Sequence, residues 1–173
     1  MKKIGPLLVI FFACPLIAAF YGILHDEITF TISPEYYTRF KFISFDIAEG
    51  MHKRLGAAIV GMSAAWWTGI PIGIIVSAIG LIHYDNRSML KFGFQSIGIV
   101  LITAMIFGIA GYFYGKYFLA GRDAMIPEGL ADAGSYLTAG SIHNFSYMGG
   151  AIGIFAGAYW QVRQKRKMKM KNG

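Results

Sequence analysis

Four stretches of the chain contain no Asp, Glu, Lys, Arg or His, at residues 4–24, 55–82, 92–115 and about 144–160. Each is close to the ~20 residues that cross the ~30 Å hydrocarbon core of a bilayer as a helix. We therefore predict an all-α integral membrane protein, a four-transmembrane-helix bundle that forms one membrane domain over residues 1–173.

The loops between these stretches differ strongly in charge. If they alternate sides, one side collects ten of the 16 Lys and Arg residues and one of the nine acidic residues. Cytoplasmic loops of membrane proteins are enriched in Lys and Arg. We predict that both termini, loop 83–91 and the basic tail 161–173 are cytoplasmic, and that loops 25–54 and 116–143 face outward. The small size and simple basic flanks favour a bacterial inner membrane.

Composition agrees with a membrane location, because 55% of the residues are hydrophobic and 14% are charged. The net charge of +7 does not require a nucleic-acid partner. The basic tail directly follows the fourth apolar stretch, where its side chains are predicted to contact anionic lipid headgroups. The residues expected to make this contact are Arg163, Lys165, Arg166 and Lys167.

The first apolar stretch has a second interpretation, a secretory signal cleaved near Phe20. The apolar run continues to Leu24, which is longer than a usual signal core, and Ile17 occupies a position where a small residue is expected. A membrane-spanning first helix is therefore favoured over a cleaved one.

The first outer loop shows the period-two alternation of β-strands. Residues 28–33 read I-T-F-T-I-S, residues 39–45 read R-F-K-F-I-S-F, and residues 34–38 begin with a proline typical of a turn. We predict a small extracytoplasmic β-hairpin between helices 1 and 2, with its apolar side resting on the bundle or bilayer.

Glycines four residues apart predict close helix contacts. Small residues let helices approach in lipid, where hydrocarbon supplies no hydrophobic drive for association. Packing within one bundle is favoured over a dimerisation face, although a homo-oligomer stays open. The glycines predicted to pack are Gly69, Gly73, Gly111, Gly115, Gly149, Gly153 and Gly157.

Histidines and carboxylates gather where the predicted spans meet the outer surface. The candidate ligands of a divalent metal, Zn, Mn or Fe, are His25, Glu27, Glu49, His52 and His143. Glu49 and His52 have the Glu-x-x-His spacing of carboxylate-bridged iron sites in helix bundles. The competing interpretation assigns these residues to helix capping, ion pairs and the membrane interface. Haem ranks below a non-haem metal because these histidines flank the predicted spans.

No motif identifies a reaction, so the catalytic residues are unknown. The chain has no Gly-x-Ser-x-Gly nucleophile elbow. A small oligomeric channel or carrier ranks low, because such proteins usually place an ionisable residue inside the membrane and the predicted spans have none. We predict a non-catalytic accessory, assembly or scaffold component that contacts a membrane protein partner through its outer loops. The outer-face metal site is the alternative prediction.

Overall fold

The computed structural model describes residues 3–119 and 126–172 of the chain. The helices within those ranges are labelled in chain order as α1 (Ile4–Ile32), α2 (residues 34–44), α3 (Lys53–Gly80), α4 (Asn86–Leu119) and α5 (Ala133–Asn172). Of these described helices, α1, α3 and α4 are long and apolar enough to cross a bilayer. The predicted class, an all-helical integral membrane protein, is confirmed.

Three of the helices contain turns with another hydrogen-bond pattern. α2 consists of an α-helical, a π-helical and an α-helical turn, Pro34–Tyr36, Tyr37–Lys41 and Phe42–Ser44. α3 consists of an α-helix, a 3₁₀ turn and a second α-helix, Lys53–Ala65, Trp66–Thr68 and Gly69–Gly80. α4 is α-helical over Asn86–Tyr114 and ends in a π-helical turn, Gly115–Leu119. Pro71 interrupts the hydrogen bonding of α3, because it has no N–H to donate to the carbonyl of Trp67.

The predicted β-hairpin over residues 28–33 and 39–45 is wrong, because α1 and α2 occupy this segment and no described residue forms a strand. Thr29 Oγ1 donates a hydrogen bond to the His25 carbonyl at 3.0 Å, which helps to accommodate a β-branched residue in the helix. Alternation over a few residues is a weak signal. Burial along this segment instead recurs every three or four residues, as expected for a helix.

The break between α1 and α2 follows from Ser33 and Pro34. The Ser33 hydroxyl accepts a hydrogen bond from the Tyr36 amide at 3.3 Å, and Pro34 is the first residue of α2. Serine is a good N-cap, and proline fits the first helical position because no N–H is needed there. The chain therefore turns sharply at Ser33, and α2 crosses the end of the bundle.

α5 is much longer than the helix predicted at about residues 144–160. Asp132 caps its N-terminus by accepting a hydrogen bond from the Ser135 amide at 2.9 Å. The helix then continues through the basic tail to Asn172. Hydropathy marks only the apolar part of a helix, whereas caps and backbone hydrogen bonding decide where the helix begins and ends.

The two outer loops are shorter in the structure than predicted, because the helices extend beyond the apolar stretches. Helical residues occupy most of the first loop, and α3 begins at Lys53. In the second loop, predicted over residues 116–143, the structure shows helix at both ends. Residues 120–125 of that loop lie outside the described part of the chain.

Glycines bring the long helices together as two antiparallel pairs. α1 packs on α3, where a Cβ added to Gly69 would lie 2.5 Å from Pro15 Cα. α4 packs on α5, where a Cβ added to Gly153 would lie 2.8 Å from Val100 Cα. Every glycine of the predicted set faces a neighbouring helix in this way: Gly69, Gly73, Gly111, Gly115, Gly149, Gly153 and Gly157. These contacts lie within one chain.

Two apolar clusters hold the bundle together at its two ends. The cluster next to α2 contains Phe30, Tyr36, Tyr37, Ala57, Val60, Tyr136 and Ala139. The cluster at the other end contains Ile10, Cys14, Val76, Met89 and Ile97. Between them the helices enclose a cavity of about 230 Å³.

Candidate metal centre

Two histidines and an aspartate, contributed by two distant parts of the chain, meet beside α2. His25 and Asp26 lie on α1, and His143 lies on α5. His25 Nδ1 is 3.2 Å from Asp26 Oδ1, and His143 Nδ1 is 3.9 Å from the same oxygen. One ligand atom of each residue lies within 4.8 Å of those of the other two. Tetrahedral ligands ~2.1 Å from a metal are ~3.4 Å apart, so small side-chain movements would place one ion among all three.

The remaining ring nitrogens of both histidines are held by hydroxyl groups. His25 Nε2 is 3.1 Å from Ser146 Oγ. His143 Nε2 is 3.4 Å from Thr29 Oγ1 and 3.5 Å from the Tyr37 hydroxyl. A metal-binding histidine typically uses one nitrogen for the ion and the other for a hydrogen bond that fixes the ring. Both rings here have that arrangement, with Nδ1 on the side of the carboxylate.

α2 covers the site at this end of the bundle. The Tyr36 ring stacks on His143 with ring centroids 5.3 Å apart, and Tyr37 OH is 2.6 Å from Thr29 Oγ1. Burial raises the pKa of both tyrosines, and the nearby Asp26 carboxylate raises the pKa of Tyr37 further. The two phenols therefore stay neutral, and Tyr37 remains available as a hydrogen-bond donor.

The carboxylate of Asp26 is buried, and only one of its two oxygens has a hydrogen-bond partner among the described residues. Asp26 is 3% exposed, and its Oδ2 has no hydrogen-bond partner among the described residues. Lys41, 8% exposed, holds its ammonium 5.7–5.9 Å from the ring centroids of Tyr36, Phe40 and Phe45. Burial lowers the pKa of Lys41, while the charge of Asp26 acts in the opposite direction. A buried carboxylate is unfavourable unless it is neutralised and hydrogen-bonded, and a bound cation would meet that need.

The same residues form one end of the 230 Å³ cavity. His25, Asp26, His143 and Ser146 line this end, and the rest of the wall is mostly apolar, with hydroxyl-bearing side chains at Tyr21, Thr68 and Tyr147. A metal bound by three side chains keeps at least one further position for water or a ligand. The cavity adjoins these three side chains and offers room for a molecule in that position.

The structure brings His25 and His143 of the predicted ligand set together, but places the other three predicted ligands elsewhere. Glu27 Oε2 forms an ion pair with Arg54 Nη1 at 2.8 Å. Glu49 and His52 precede the first residue of α3 and are exposed, so they do not share a helical face. Their Glu-x-x-His spacing has no structural consequence because the segment is not helical at these positions.

Asp26 was not in the predicted ligand set, although its neighbours His25 and Glu27 were, because the sequence did not show which side of α1 faces the other helices. α1 in fact continues to Ile32, which places an ionisable residue inside a helix long enough to cross a membrane. Polar residues at helical spacing, Asp26, Thr29 and Ser33, were the signal that could have revealed a buried face.

A second buried histidine lies at the opposite end of the bundle. His83 is 0% exposed and packs on Phe92 with ring centroids 4.9 Å apart. Lys3 Nζ donates hydrogen bonds to the carbonyls of Leu81 and His83. Burial lowers the pKa of His83, so the imidazole is neutral and serves to close this end of the fold.

The basic tail belongs to α5. Arg163, Arg166 and Lys167 are exposed, and Lys165 Nζ lies over the Tyr84 ring at 2.8 Å from its centroid. The exposed side chains have the charge and the accessibility that lipid headgroups need. Contact with headgroups remains a prediction.

The chain matches no protein-family model, no curated protein and no solved structure. Function is therefore inferred from the chemistry of the site itself.

Proposed function

We propose that this membrane protein binds one divalent first-row transition metal, Zn, Mn or Fe, through His25, Asp26 and His143. Two imidazoles and one carboxylate form a ligand set that occurs in zinc sites and in non-haem iron sites. The observation that carries the proposal is the buried Asp26 carboxylate. One of its oxygens lies 3.2 and 3.9 Å from two histidine nitrogens, and the other has no hydrogen-bond partner within the described part of the chain.

The open side of the site favours a functional metal over a structural one. Structural zinc sites are usually closed by four protein ligands, whereas catalytic sites use three and leave one position free. Three side chains meet here beside a cavity, which is the open type of arrangement. A ligand in the cavity would reach the metal directly.

The segments predicted to face outward are packed on the bundle, which favours a role in covering the site. Glu35 of α2 accepts hydrogen bonds from the Ala131 and Asp132 amides, each at 2.9 Å. These two backbone bonds lower the pKa of Glu35, so the contact persists through neutral and mildly acidic pH. α2 is thereby held to the start of α5, above His143.

We further propose that α5 crosses the membrane as a fourth helix beside α4. Its apolar part runs antiparallel to α4 in close backbone contact, with Gly149 and Gly157 meeting Thr103 and Ser96. With four crossings, the charge distribution of the loops would favour both termini in the cytoplasm of a bacterial inner membrane, and the metal site would lie towards the outer side.

Metal binding is tested on the protein purified in mild detergent without a histidine tag. After chelator treatment, we expect uptake of about one equivalent of Zn²⁺ or Co²⁺, measured by elemental analysis. The Co²⁺ form should show visible absorption bands, which report a low-coordinate site. His52→Ala is the matched control, because His52 is an exposed histidine outside the site, and this variant should take up the same amount.

A stable protein that takes up no Zn²⁺, Mn²⁺, Fe²⁺ or Co²⁺ would contradict the proposal. That result would instead favour the accessory or scaffold role predicted from the sequence.

The topology is tested with reporters fused after the last residue of α5. A reporter that is active only in the cytoplasm should be active, because the basic tail remains on the side of synthesis. A reporter that is active only outside the cytoplasm should be inactive in the same position. The reverse pair of results would mean that the C-terminus is translocated and that the proposed orientation is wrong.

A further inference from the structure

The cavity between the two apolar clusters has the size of a small ligand. Its volume is about 230 Å³, larger than the ~150 Å³ apolar cavity that binds benzene and smaller than most drug-sized pockets. Small residues from all four long helices create the space, including Ala18, Ala64, Ala104 and Gly150. One small ring or a short alkyl chain would fill it.

The cavity opens between α3 and α5. Trp67 and Pro71 of α3 and Tyr147 and Ala151 of α5 line the cavity and are also exposed on the outside of the bundle. Trp67 and Pro71 belong to the middle of α3, one of the helices apolar enough to cross a bilayer. Both halves of α3 pack against α1, and the second half, Gly69–Gly80, also contacts α5. With α5 crossing the membrane as proposed, the gap between α3 and α5 would face hydrocarbon.

The closed end of the cavity selects for a particular polar group. Asp26 Oδ2 is an acceptor without a partner among the described residues, and His25 and Ser146 flank it. A hydroxyl group can donate a hydrogen bond to this carboxylate or bind a metal held by it. A carboxylate head would instead be repelled by Asp26, and a charged head would have to be desolvated.

We propose that this cavity binds a neutral, lipid-dissolved hydroxyl compound, a phenol or an alcohol, which reaches the site from the bilayer between α3 and α5. The inference rests on the proposed function, because it names the ligand class of that same site and places the hydroxyl at the metal. The apolar walls do not depend on the metal, so ligand binding is measured with and without it.

The experiment compares two probes that differ by one hydroxyl group, 4-pentylphenol and pentylbenzene. Each is titrated into the detergent-solubilised protein in its chelator-treated and its Zn²⁺-loaded form, with binding followed by calorimetry. We expect 4-pentylphenol to bind in both forms and pentylbenzene to bind about tenfold more weakly. Pentylbenzene leaves the carboxylate without a hydrogen-bond donor in the metal-free form, and supplies no oxygen ligand to the metal in the Zn²⁺-loaded form.

Two glycine variants separate cavity binding from uptake into the micelle. A Cβ added to Gly150 meets no atom within 4 Å, and Gly150 lines the cavity, so Gly150→Leu fills the space without disturbing helix packing. A Cβ added to Gly98 on α4 also meets no atom within 4 Å, but Gly98 does not line the cavity. We expect Gly150→Leu to weaken 4-pentylphenol binding by at least about tenfold and Gly98→Leu to leave it unchanged.

Equal 4-pentylphenol binding by the wild-type protein and Gly150→Leu would overturn the cavity assignment. Equal binding of the two probes would overturn the assignment of the hydroxyl group. A protein that takes up no metal but binds 4-pentylphenol in a Gly150-dependent way would refute the proposed function and support this inference.

Discussion

Replacing Gly61 by leucine is expected to destabilise the protein more than any other single change considered. A Cβ added to Gly61 would lie 2.6 Å from the carbonyl carbon of Gly22 and 2.8 Å from Asp26 Cβ. The obstacle is the backbone of α1, which cannot rotate out of the way as a side chain can. Overpacking typically costs 1–3 kcal/mol, and we expect about 3 kcal/mol here.

That loss corresponds to a fall in Tm of roughly 10 °C for a chain of this size, measured by thermal unfolding in mild detergent. The matched control is Gly98→Leu, which makes the same chemical change at a helical glycine with open space around its added Cβ. This control should keep or slightly raise Tm, because leucine favours helix more than glycine does. Equal Tm values for the two variants would mean that α1 and α3 do not approach at Gly61.

Replacing Asp26 by asparagine is expected to have two effects of opposite sign. The change removes a negative ligand, so metal affinity should fall by at least about 100-fold, measured by competition with a chelator of known affinity. It also removes a buried charge with an unpaired oxygen, so the metal-free protein should become more stable by about 1–2 kcal/mol. The amide oxygen can keep the 3.2 Å contact to His25 Nδ1.

Glu27→Gln is the control for this variant, because it neutralises the adjacent residue, whose carboxylate faces Arg54 on the surface. Metal affinity should be unchanged in Glu27→Gln, and stability should change little because partly exposed ion pairs contribute little. If Asp26→Asn kept wild-type metal affinity, the carboxylate would not be a ligand and the proposed site would be wrong.

The close helix contacts explain how the site is positioned. Gly22 and Gly61 let the backbones of α1 and α3 touch one turn away from Asp26. On the other pair, Gly111 packs under the Ser141 carbonyl and fixes α5 next to His143. These contacts fix each histidine within its own helix pair, and the separation between the two histidines depends on how α1 and α2 pack against α5.

Only two of the three side chains of the candidate site were predicted from the sequence. His25 and His143 could be expected to meet because both flank predicted spans at the same depth. Glu27 was selected instead of Asp26, because only the structure shows that Asp26 faces the bundle whereas Glu27 faces Arg54. Glu49 and His52 were included because a helix was assumed where the structure has a turn.

The amino-acid pattern by itself determined that this is a helical membrane protein, because long apolar stretches have no other stable structure in lipid. Glycine spacing indicated some of the glycines at helix contacts, but not Gly22 and Gly61, whose contact only the structure shows. Only the tertiary structure decided that α1 carries a buried carboxylate, that α2 replaces the hairpin, and that a cavity adjoins the histidines. These features arise from contacts between residues far apart in sequence, whose energies exceed the local preferences that a sequence pattern reports.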